Sequence, residues 1–460
     1  MEKLLVKEIV AWTNGKLLRG DPREELTSVS IDTRTIKPGA LFLAIKGDSY
    51  DGHGFVKNLK QLSALGAVVS KMMEGSETLR IAILVTDTTE ALKQLAAGYL
   101  TKLTELKVAG ITGSNGKTTT KDILWNILSL SRKTHKPKGS FNNEIGIPLT
   151  ILGADASFKT LILEFGTNHP GEIQKLAAVA KPEVAAITNI GTAHIGFFKS
   201  RENILKEKWT LFENIKAGGL AVINLDDALI AEKRSSLGVK TLTFSALKAA
   251  DVAAENLREL KEGGTAFTLN VAGQKEEVKL NLLGLHNVSN SLCAAALAYG
   301  LAADIKSIAK GLQEFTAVSA HRLSASVFNG IKILDDAYNA NPDSVKGGIL
   351  ALLGFSAKKR VLVLGEMAEL GDFAEALHEE TGAEAARNSL DALVLTGKTG
   401  EWYKRGAVKA GMKEEKVFLF SDNLSAGAFL RRFLEEGDAV LIKGSRRAGM
   451  EKIVEMVRSS

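Results

Sequence analysis

Short runs of buried-strand character alternate with amphipathic helical stretches through the middle of the chain. This alternation predicts parallel βαβ units between about residues 107 and 316. The predicted strands are 108–112, 161–165, 184–189 and 220–224. A β-hairpin is expected at 265–281 and a helix at 292–301.

The last third of the chain carries a second pattern of the same kind. Its predicted strands are 331–335, 361–365, 392–397, 417–421 and 439–444. Each ends in Gly, Ser or Asp, which is typical of strands whose carboxyl ends face a ligand in a parallel sheet. Two such domains in series predict a binding site in the cleft between them.

The first part of the chain predicts a smaller unit, with strands at 40–45, 67–70 and 81–86 separated by turn-rich segments and followed by a helix at 89–103. The predicted fold class is therefore α/β with three domains. These are a small N-terminal α/β domain at 1–86, a central parallel-sheet domain at 87–316, and a C-terminal Rossmann-like domain at 317–460.

Composition narrows the class of protein. No apolar run approaches the roughly 20 residues that a membrane-spanning helix needs, and the N-terminus lacks the apolar segment of a signal peptide. Cys293 is the only cysteine, so no intrachain disulfide can form. These features predict a cytoplasmic protein without integral membrane contact. The net charge of +6 comes from lysines and arginines spread along the chain, which favours small anionic ligands over nucleic acid.

The segment from Gly110 to Thr120 carries the strongest chemical signal. A strand, a glycine-containing loop and a helix follow one another here, and such a loop directs backbone N–H groups toward phosphates. The predicted phosphate-binding residues are Gly113, Ser114, Asn115, Gly116, Lys117, Thr118 and Thr119. Lys117 is placed to reach the β- and γ-phosphates and Thr118 to bind Mg²⁺. The strict motif would have Gly at 111, where this chain has Ile, so a glycine-rich turn that binds no nucleotide is the alternative.

Three further residues are candidates for metal binding or catalysis. Glu164 and His194 lie at or after predicted strands, and Lys208 lies beside an apolar helical stripe. Glu164 ends a strand and is a candidate Mg²⁺ ligand, or else a simple turn cap. His194 follows the strand 184–189 and is equally consistent with a ligand or a structural histidine. Lys208 borders an apolar helical stripe, where partial desolvation would make the amine reactive enough to form a carbamate. On pattern alone, a lysine that extends its amine to solvent is the simpler interpretation.

Two loops rich in amides complete the candidates. Asn287 and Asn290 suit an adenine edge, although helix capping explains them as well. In the loop 335–344, Asn341 is predicted to cap a helix that starts at Pro342. A second Gly-Lys-Thr at 397–399 lacks the first glycine and is predicted to be an ordinary turn.

Together these motifs resemble the Mur ligase family, the ATP-dependent amide ligases of peptidoglycan precursor synthesis, over nearly the whole chain. The resemblance rests on the loop 112–118, Glu164, the segment 189–194, Lys208, the pair Asn287 and Asn290, Arg322 and Asp336. The N-terminal segments 30–34, 39–42 and 51–55 are similar to the family's uridine-diphosphate substrate domain. The central domain would then be the phosphate-loop ATPase domain.

The resemblance implies a carboxylate activated by ATP as an acyl phosphate and attacked by an amine. Lys117, Glu164, His194 and Lys208 would be catalytic, and two Mg²⁺ would be held by Thr118, Glu164, His194 and a carbamate on Lys208. ATP contacts would also come from Asn287, Asn290, Arg322, Asp336 and Asn339. The implied substrate-binding residues are Ser30, Thr33, Arg34, Lys46, Asn142, Asn143, Thr167, Asn341, Ser344 and Lys443.

Within the family, several loops favour a member that joins D-alanyl-D-alanine to UDP-N-acetylmuramoyl tripeptide. These are the segments 336–344, 140–149, 363–371 and 443–446. A sister enzyme that adds a single amino acid remains an alternative, because Thr210 stands where the dipeptide-adding enzymes more often have Glu. A folylpolyglutamate-synthase-like ligase and a non-catalytic nucleotide-binding switch also remain open. The chain is expected to act as a monomer and to close its two larger domains over ATP.

Overall fold

The computed structural model describes residues 1–47, 50–73, 76–260, 264–316 and 321–459. Three large sheets are built in sequence order, with strands in residues 16–84, 107–280 and 324–443. Each sheet falls within one of the ranges 1–86, 87–316 and 317–460, which we keep as proposed domain limits. The junction at 317 lies outside the described residues.

The N-terminal domain has a five-stranded sheet of order β2-β7-β6-β5-β4, in which only β2 runs antiparallel to its neighbour. Its elements are β1 Leu4–Leu5, α1 Val6–Thr13, β2 Lys16–Arg19, β3 Glu25–Leu26, β4 Val29–Ser30, β5 Leu41–Leu43, β6 Gly66–Val69 and β7 Ile81–Leu84. Helix α2 Thr88–Leu100 follows at the start of the central range, after Asp87, whose carboxylate accepts a hydrogen bond from the Glu90 N–H. Tyr99 of this helix is fully buried; its hydroxyl accepts from the Glu2 N–H at 2.6 Å and donates to the Ala154 carbonyl at 2.7 Å, which links the N-terminal domain to the central one.

The central domain holds a nine-stranded sheet of order β16-β15-β14-β13-β12-β11-β8-β10-β9. Its elements are β8 Lys107–Thr112, α3 Lys117–Ser129, β9 Thr134–His135, α4 Gly146–Leu152, β10 Thr160–Glu164, α5 Glu172–Val179, β11 Val184–Ile187, α6 Ile195–Phe198, α7 Arg201–Glu213, β12 Leu220–Asn224, α8 Ala228–Lys233, β13 Lys240–Ser245, β14 Val252–Glu259, β15 Thr265–Val271, β16 Gln274–Leu280, α9 Leu285–Gly300 and α10 Ile305–Gln313. The strands from β9 to β14 are parallel, and the predicted hairpin is β15 with β16.

Alternate residues of the central strands enter two different cores. In β8, Val108 packs into the core that contains α7, whereas Ala109 and Ile111 pack into the core formed with α3 and α9. Helices on both faces explain why these strands are apolar on both sides, as expected for a parallel sheet. β13 and β14 were not predicted, because much of each strand is exposed and neither gives an apolar run.

The C-terminal domain has a six-stranded sheet of order β17-β18-β22-β19-β20-β21, parallel except for β17. Its elements are β17 Ser324–Phe328, β18 Ile331–Asp336, α11 Pro342–Leu353, β19 Arg360–Leu364, α12 Ala374–Ala386, β20 Ala392–Thr396, α13 Gly400–Lys409, β21 Val417–Phe420, α14 Asn423–Phe433, β22 Ala439–Lys443 and α15 Glu451–Arg458. Asn341 caps α11 and Pro342 opens it, which confirms that prediction. Among the described helices, none combines the length and apolar content needed to cross a bilayer.

The central and C-terminal domains meet through polar contacts. Asn115 and Asn341 exchange two amide hydrogen bonds, of 2.8 and 3.4 Å. The Thr192 N–H and hydroxyl both donate to Asp343, at 2.8 and 2.9 Å. Contacts of this type are weaker than an apolar core and are easily exchanged for water. The two domains are therefore in contact in this structure through polar groups, and apolar residues of both domains, Phe198 and Leu370 among them, belong to one buried cluster.

We predict that this closure responds to ligands. The radius of gyration from small-angle scattering should fall when a non-hydrolysable ATP analogue and UDP-N-acetylmuramoyl tripeptide are added, because closure would bring charged groups of both domains onto the ligands. Asp343→Ala should enlarge the free protein by removing the Thr192 contacts. Scattering profiles that stay the same with and without ligands would contradict a hinged pair.

Candidate active site

A cavity of about 610 Å³ lies between the central and C-terminal domains. It is lined by the phosphate loop, by the ends of the neighbouring strands and by the loop that precedes α11. Among its lining residues are Lys117, Glu164, His194, Asn287, Asn290, Arg322, Asp336, Asn341 and Lys443. Residues from positions 114 to 443 of the chain are thus gathered around one space.

The phosphate loop is a four-residue turn from Gly113 to Gly116. Gly113 has φ of 148° and Gly116 has φ of 80°, values that side chains disfavour. A Cβ at Gly113 would lie 1.8 Å from the Thr188 hydroxyl, and one at Gly116 would lie 2.1 Å from the Asn290 side-chain oxygen. Both glycines are therefore required by close packing. Ile111 lies inside β8, so the turn begins later than in the strict motif.

Helix α3 starts directly behind this turn. Its N-cap is Gly116, which has no side chain, so the first N–H groups face the cavity without a side-chain cap. The Lys117 ammonium donates to the Gly113 carbonyl at 2.7 Å and to the Ser114 carbonyl at 3.3 Å. Burial lowers the pKa of Lys117, Glu164 opposes the shift, and the positive charge of Arg322 adds to it. The arrangement suits binding of a polyphosphate, which would supply the missing negative charge.

Thr118 and Glu164 form the centre of the candidate metal site. The Thr118 hydroxyl donates to one carboxylate oxygen of Glu164 at 2.9 Å, and the Asn142 amide donates to the other at 2.8 Å. Glu164 is 1 % exposed and sits at the end of β10, in register with Ile111 of β8. Hydroxyl and carboxylate oxygens are the ligands that Mg²⁺ takes together with phosphate oxygens, so the residues present fit that ion. Within the described residues, no group of three or more His, Cys, Asp or Glu forms a metal cluster.

His194 and Lys208 flank this centre in different ways. His194 lines the cavity and caps α6 in a left-handed conformation, with φ of 62°. Its Nδ1 forms an ion pair with Glu369 of the C-terminal domain. Lys208 is 1 % exposed, whereas Lys206 of the same helix is exposed, as the helical stripe predicts. Lys208 is not a lining residue of the cavity, and it lies behind it.

The charge state of Lys208 is set by its surroundings. Burial lowers its pKa well below the ordinary value, the charge of nearby Lys117 lowers it further, and Glu207 opposes the shift. A neutral amine is the form that reacts with carbon dioxide, so the environment favours the chemistry that the sequence pattern alone left in doubt. The carbamate itself remains a proposal.

The amide pair Asn287 and Asn290 lies inside α9 rather than at its cap, which Gly284 provides. Asn290 donates to Asn287 at 3.3 Å, and Asn287 donates to the Leu283 carbonyl at 2.9 Å. Next to them, burial and the charge of Lys443 lower the pKa of His286 to about 4, so this imidazole is neutral at pH 7. This wall of the cavity is polar but uncharged.

The C-terminal wall carries two basic side chains, Arg322 and Lys443, and two acidic ones, Asp336 and Asp343. Arg322 stacks over the Tyr338 ring at 3.9 Å, and the buried Lys443 ammonium donates to Asp336 and to the Asn339 carbonyl. Burial raises the pKa of Asp336, and Lys443 opposes that shift. Asn341 and Ser344 are engaged in the α11 cap, where the Ser344 N–H donates to Asn341 at 2.9 Å.

The predicted residues of the N-terminal domain lie apart from this cavity. Ser30 and Arg34 both bind Asp32, whose pKa Arg34 lowers to about 2. Lys46 is exposed and paired through the backbone with Asp51. Ser30, Thr33, Arg34 and Lys46 are absent from the lining of the cavity. Ser30 ends β4, Thr33 and Arg34 follow it, and Lys46 follows β5, so any common substrate would have to extend from these strands to the cavity.

Two other predicted residues have structural partners. Asn143 is exposed and accepts from the Gly146 N–H at 2.8 Å at the start of α4. Thr167 is buried and donates to the His169 carbonyl at 2.9 Å. Neither lines the cavity, and their substrate roles remain predictions.

Several lining residues were not predicted. Arg201 donates to the Ile190 carbonyl at 2.7 Å, and Asp227 accepts from the Ile190 N–H at 2.6 Å. Asn224 and Asp227 follow β12, so the rule that strand ends face the ligand would have found them. The turn at 397–399 is confirmed as a turn after β20. It borders a second cavity of about 610 Å³ in the C-terminal domain, also lined by Glu366, Asp422 and Arg447.

Comparison with known proteins relates this geometry to one family. Residues 111–298 match the Mur ligase middle domain, residues 321–446 the Mur ligase glutamate ligase domain, and residues 25–100 the Mur ligase family catalytic domain. The chain is 34 % identical to the UDP-N-acetylmuramoyl-tripeptide–D-alanyl-D-alanine ligase of Bacillus subtilis, with 99 % of this chain and 98 % of that protein covered.

Solved structures show the same three-domain arrangement. A crystal structure of MurF from Acinetobacter baumannii is 30 % identical, covers 100 % of both chains and superposes with a TM-score of 0.93. MurF ligase from Thermotoga maritima in complex with ADP is also 30 % identical, with a TM-score of 0.83 over 94 % of this chain and 97 % of that one.

We predict that Lys117→Ala lowers ATP turnover by on the order of 10³-fold, because it removes a positive charge from the phosphate site. The fold should survive, since the ammonium contacts only loop carbonyls. Steady-state phosphate release and thermal melting would measure the two effects. Lys107→Ala, an exposed lysine at the other end of β8, is the matched control. If both variants turn over ATP normally, the loop is structural.

Proposed function

The chain belongs to the Mur ligase family, and we propose that it joins D-alanyl-D-alanine to UDP-N-acetylmuramoyl tripeptide at the expense of ATP, in peptidoglycan precursor synthesis. The observation that carries this proposal is the cavity between the two large domains, where the phosphate loop faces Arg322 and Lys443 of the C-terminal domain. The Bacillus subtilis ligase that is named for this reaction matches the chain along 99 % of its length.

The reaction must bring anions together. The terminal carboxylate of the tripeptide attacks the γ-phosphorus, an O–P bond forms, and the bond to ADP breaks. The amine of D-alanyl-D-alanine then attacks the acyl carbon, a C–N bond forms, phosphate leaves and the amine loses a proton. Lys117, Arg322 and Lys443 offset the repulsion among these groups, since all three lie around the same cavity.

Thr118 and Glu164 would hold one Mg²⁺, because their oxygens are in hydrogen-bond contact and point to the phosphate loop. His194 and a carbamate on Lys208 would hold a second. When bound, such ions neutralise charge on the transferring phosphoryl group. The lowered pKa of Lys208 supports the carbamate, since it increases the share of the neutral, reactive amine.

The other contacts divide between the two large domains. We assign the adenine to Asn287 and Asn290 and the ribose and phosphates to Arg322, Asp336 and Asn339, all of which line the cavity. Ser30, Thr33, Arg34 and Lys46 would bind the uridine nucleotide at the N-terminal domain. Asn142, Asn143 and Thr167 would bind its peptide arm.

We place the acceptor dipeptide on the C-terminal side of the cavity, near Asn341, Ser344 and Lys443.

Two alternative functions differ from this one in their chemistry. A sister ligase would accept a free amino acid, and Thr210 is the residue that favours it. A non-catalytic switch would bind nucleotide without needing a carboxylate substrate. We further propose that the protein acts as a monomer and, because the reaction consumes ATP, that it acts in the cytoplasm.

The reaction itself is the first test. Phosphate release should require both UDP-N-acetylmuramoyl tripeptide and D-alanyl-D-alanine, because the acyl phosphate forms only on a bound carboxylate. Parallel assays with free amino acids distinguish the sister activity. Equal ATP turnover in the absence of both substrates would overturn the ligase assignment in favour of a switch or motor.

Lys208 provides the test of the second metal. Lys208→Ala should reduce activity by about 100-fold or more, since loss of residues that merely support ligands costs up to that much. A short carboxylic acid in the buffer should restore part of the rate, and ¹³C-labelled bicarbonate should give a protein-bound carbamate signal in the wild type only. Lys206→Ala, at an exposed lysine of the same helix, is the control. Equal behaviour of the two variants would make Lys208 an ordinary helix lysine.

A further inference from the structure

The segment from Glu366 to Gly371 leaves β19 of the C-terminal domain and reaches the central domain. Two backbones approach closely there, and the Gly196 N–H donates to the Glu369 carbonyl at 3.1 Å. A Cβ on Gly196 would lie 2.6 Å from the Gly371 nitrogen, so this approach depends on glycine. The contact is therefore specific rather than a loose surface touch.

Two side chains meet at this crossing. Nδ1 of His194 lies against a carboxylate oxygen of Glu369, and the contact with His194 is the main reason that the pKa of Glu369 is lowered. Both residues have left-handed backbone, with φ of 62° and 64°. Non-glycine residues adopt such angles at a cost, and they cluster where function requires a fixed geometry.

The pairing has a known physical consequence for a histidine ligand. When a carboxylate binds one ring nitrogen, it fixes the tautomer and ring orientation and leaves the other nitrogen for a metal. His194 faces the cavity from the central domain, while the carboxylate comes from the C-terminal domain. The contact between His194 and Glu369 would therefore link the metal site to the closed arrangement of the two domains.

We propose that Glu369 is the positioning residue for His194, so that the histidine becomes a competent metal ligand only when the C-terminal domain has closed. This inference rests on the proposed function, which assigns His194 to a metal. Glu369 itself would touch neither substrate nor metal. Its side chain is 39 % exposed, so its removal should not unfold the protein.

A matched control lies three residues away. Asp372 also bridges the domains, by pairing with Lys199 at 3.3 Å, but its side chain is 92 % exposed and it is not a lining residue of the cavity. Asp372→Asn therefore removes an interdomain carboxylate from the same segment without touching His194.

The experiment counts Mn²⁺ bound in the presence of a non-hydrolysable ATP analogue, by electron paramagnetic resonance, and measures the Mg²⁺ concentration for half-maximal rate. In Glu369→Ala we expect the weaker Mn²⁺ to be lost or weakened about 10- to 100-fold, with a matching rise in Mg²⁺ requirement. Glu369→Gln should recover part of this affinity, because its amide oxygen still accepts from Nδ1. Asp372→Asn should bind Mn²⁺ as the wild type does.

The variant His194→Ala distinguishes a failure of the positioning role of Glu369 from a failure of the metal assignment of His194. If it loses the weaker Mn²⁺ while Glu369→Ala binds normally, the positioning role is wrong and the metal assignment stands. If neither variant changes Mn²⁺ binding, the metal assignment of His194 fails and the inference fails with it. In the His194→Ala background, Glu369→Ala should have no further effect on Mn²⁺, and an additional loss would show that Glu369 acts by another route.

Discussion

The close packing of the turn from Gly113 to Gly116 is the constraint on which the site depends. With no room for a Cβ at either glycine, the end of β8 is pressed against Thr188 of the next strand and the start of α3 against Asn290. The same packing turns Lys117 back over the loop and brings Thr118 to Glu164. Groups at this one turn can therefore contact a phosphate group, a metal and an adenine, because three neighbouring elements meet there.

The turn from Gly113 to Gly116 supplies only part of the site. The positive charges of Arg322 and Lys443 come from the C-terminal domain, which touches the central domain through amides, hydroxyls and carboxylates beside apolar residues of a shared buried cluster. The polar contacts next to the cavity can be exchanged for contacts with ligands, so binding energy from ligands can shift the domain arrangement. The N-terminal domain is linked through the buried Tyr99, whose hydroxyl contacts both Glu2 and Ala154.

Much of this could be predicted from the sequence, and the limits have physical reasons. Apolar runs with strand-end polar residues located the buried strands and the residues Glu164 and Asp336. β13, β14 and β17 escaped because half-exposed strands lack an apolar run, and Asn224 and Asp227 escaped because they resemble an ordinary strand end and a helix cap, which Asp227 also is. The burial of Lys208, which is the main reason that its pKa is lowered, could be suspected from its helical stripe, but the further effect of Lys117 could not, because Lys117 lies about 90 residues away in the chain. The pairing of His194 with Glu369 joins two domains, and no local pattern records such a contact.

The division of the site between domains also matches the chemistry of an acyl phosphate. Water hydrolyses such an intermediate, and water also weakens the electrostatic effect of Lys117 and Arg322 on the phosphoryl group. A site assembled at a closing interface limits both losses, because its charges reach full effect only when solvent has been displaced. A rigid, preformed pocket would hold several cations together at a permanent cost in repulsion. Because the fold places them on two bodies, opening of the domains would relieve the repulsion among these charges when no anion is bound, and bound anions would favour the arrangement that brings the charges together.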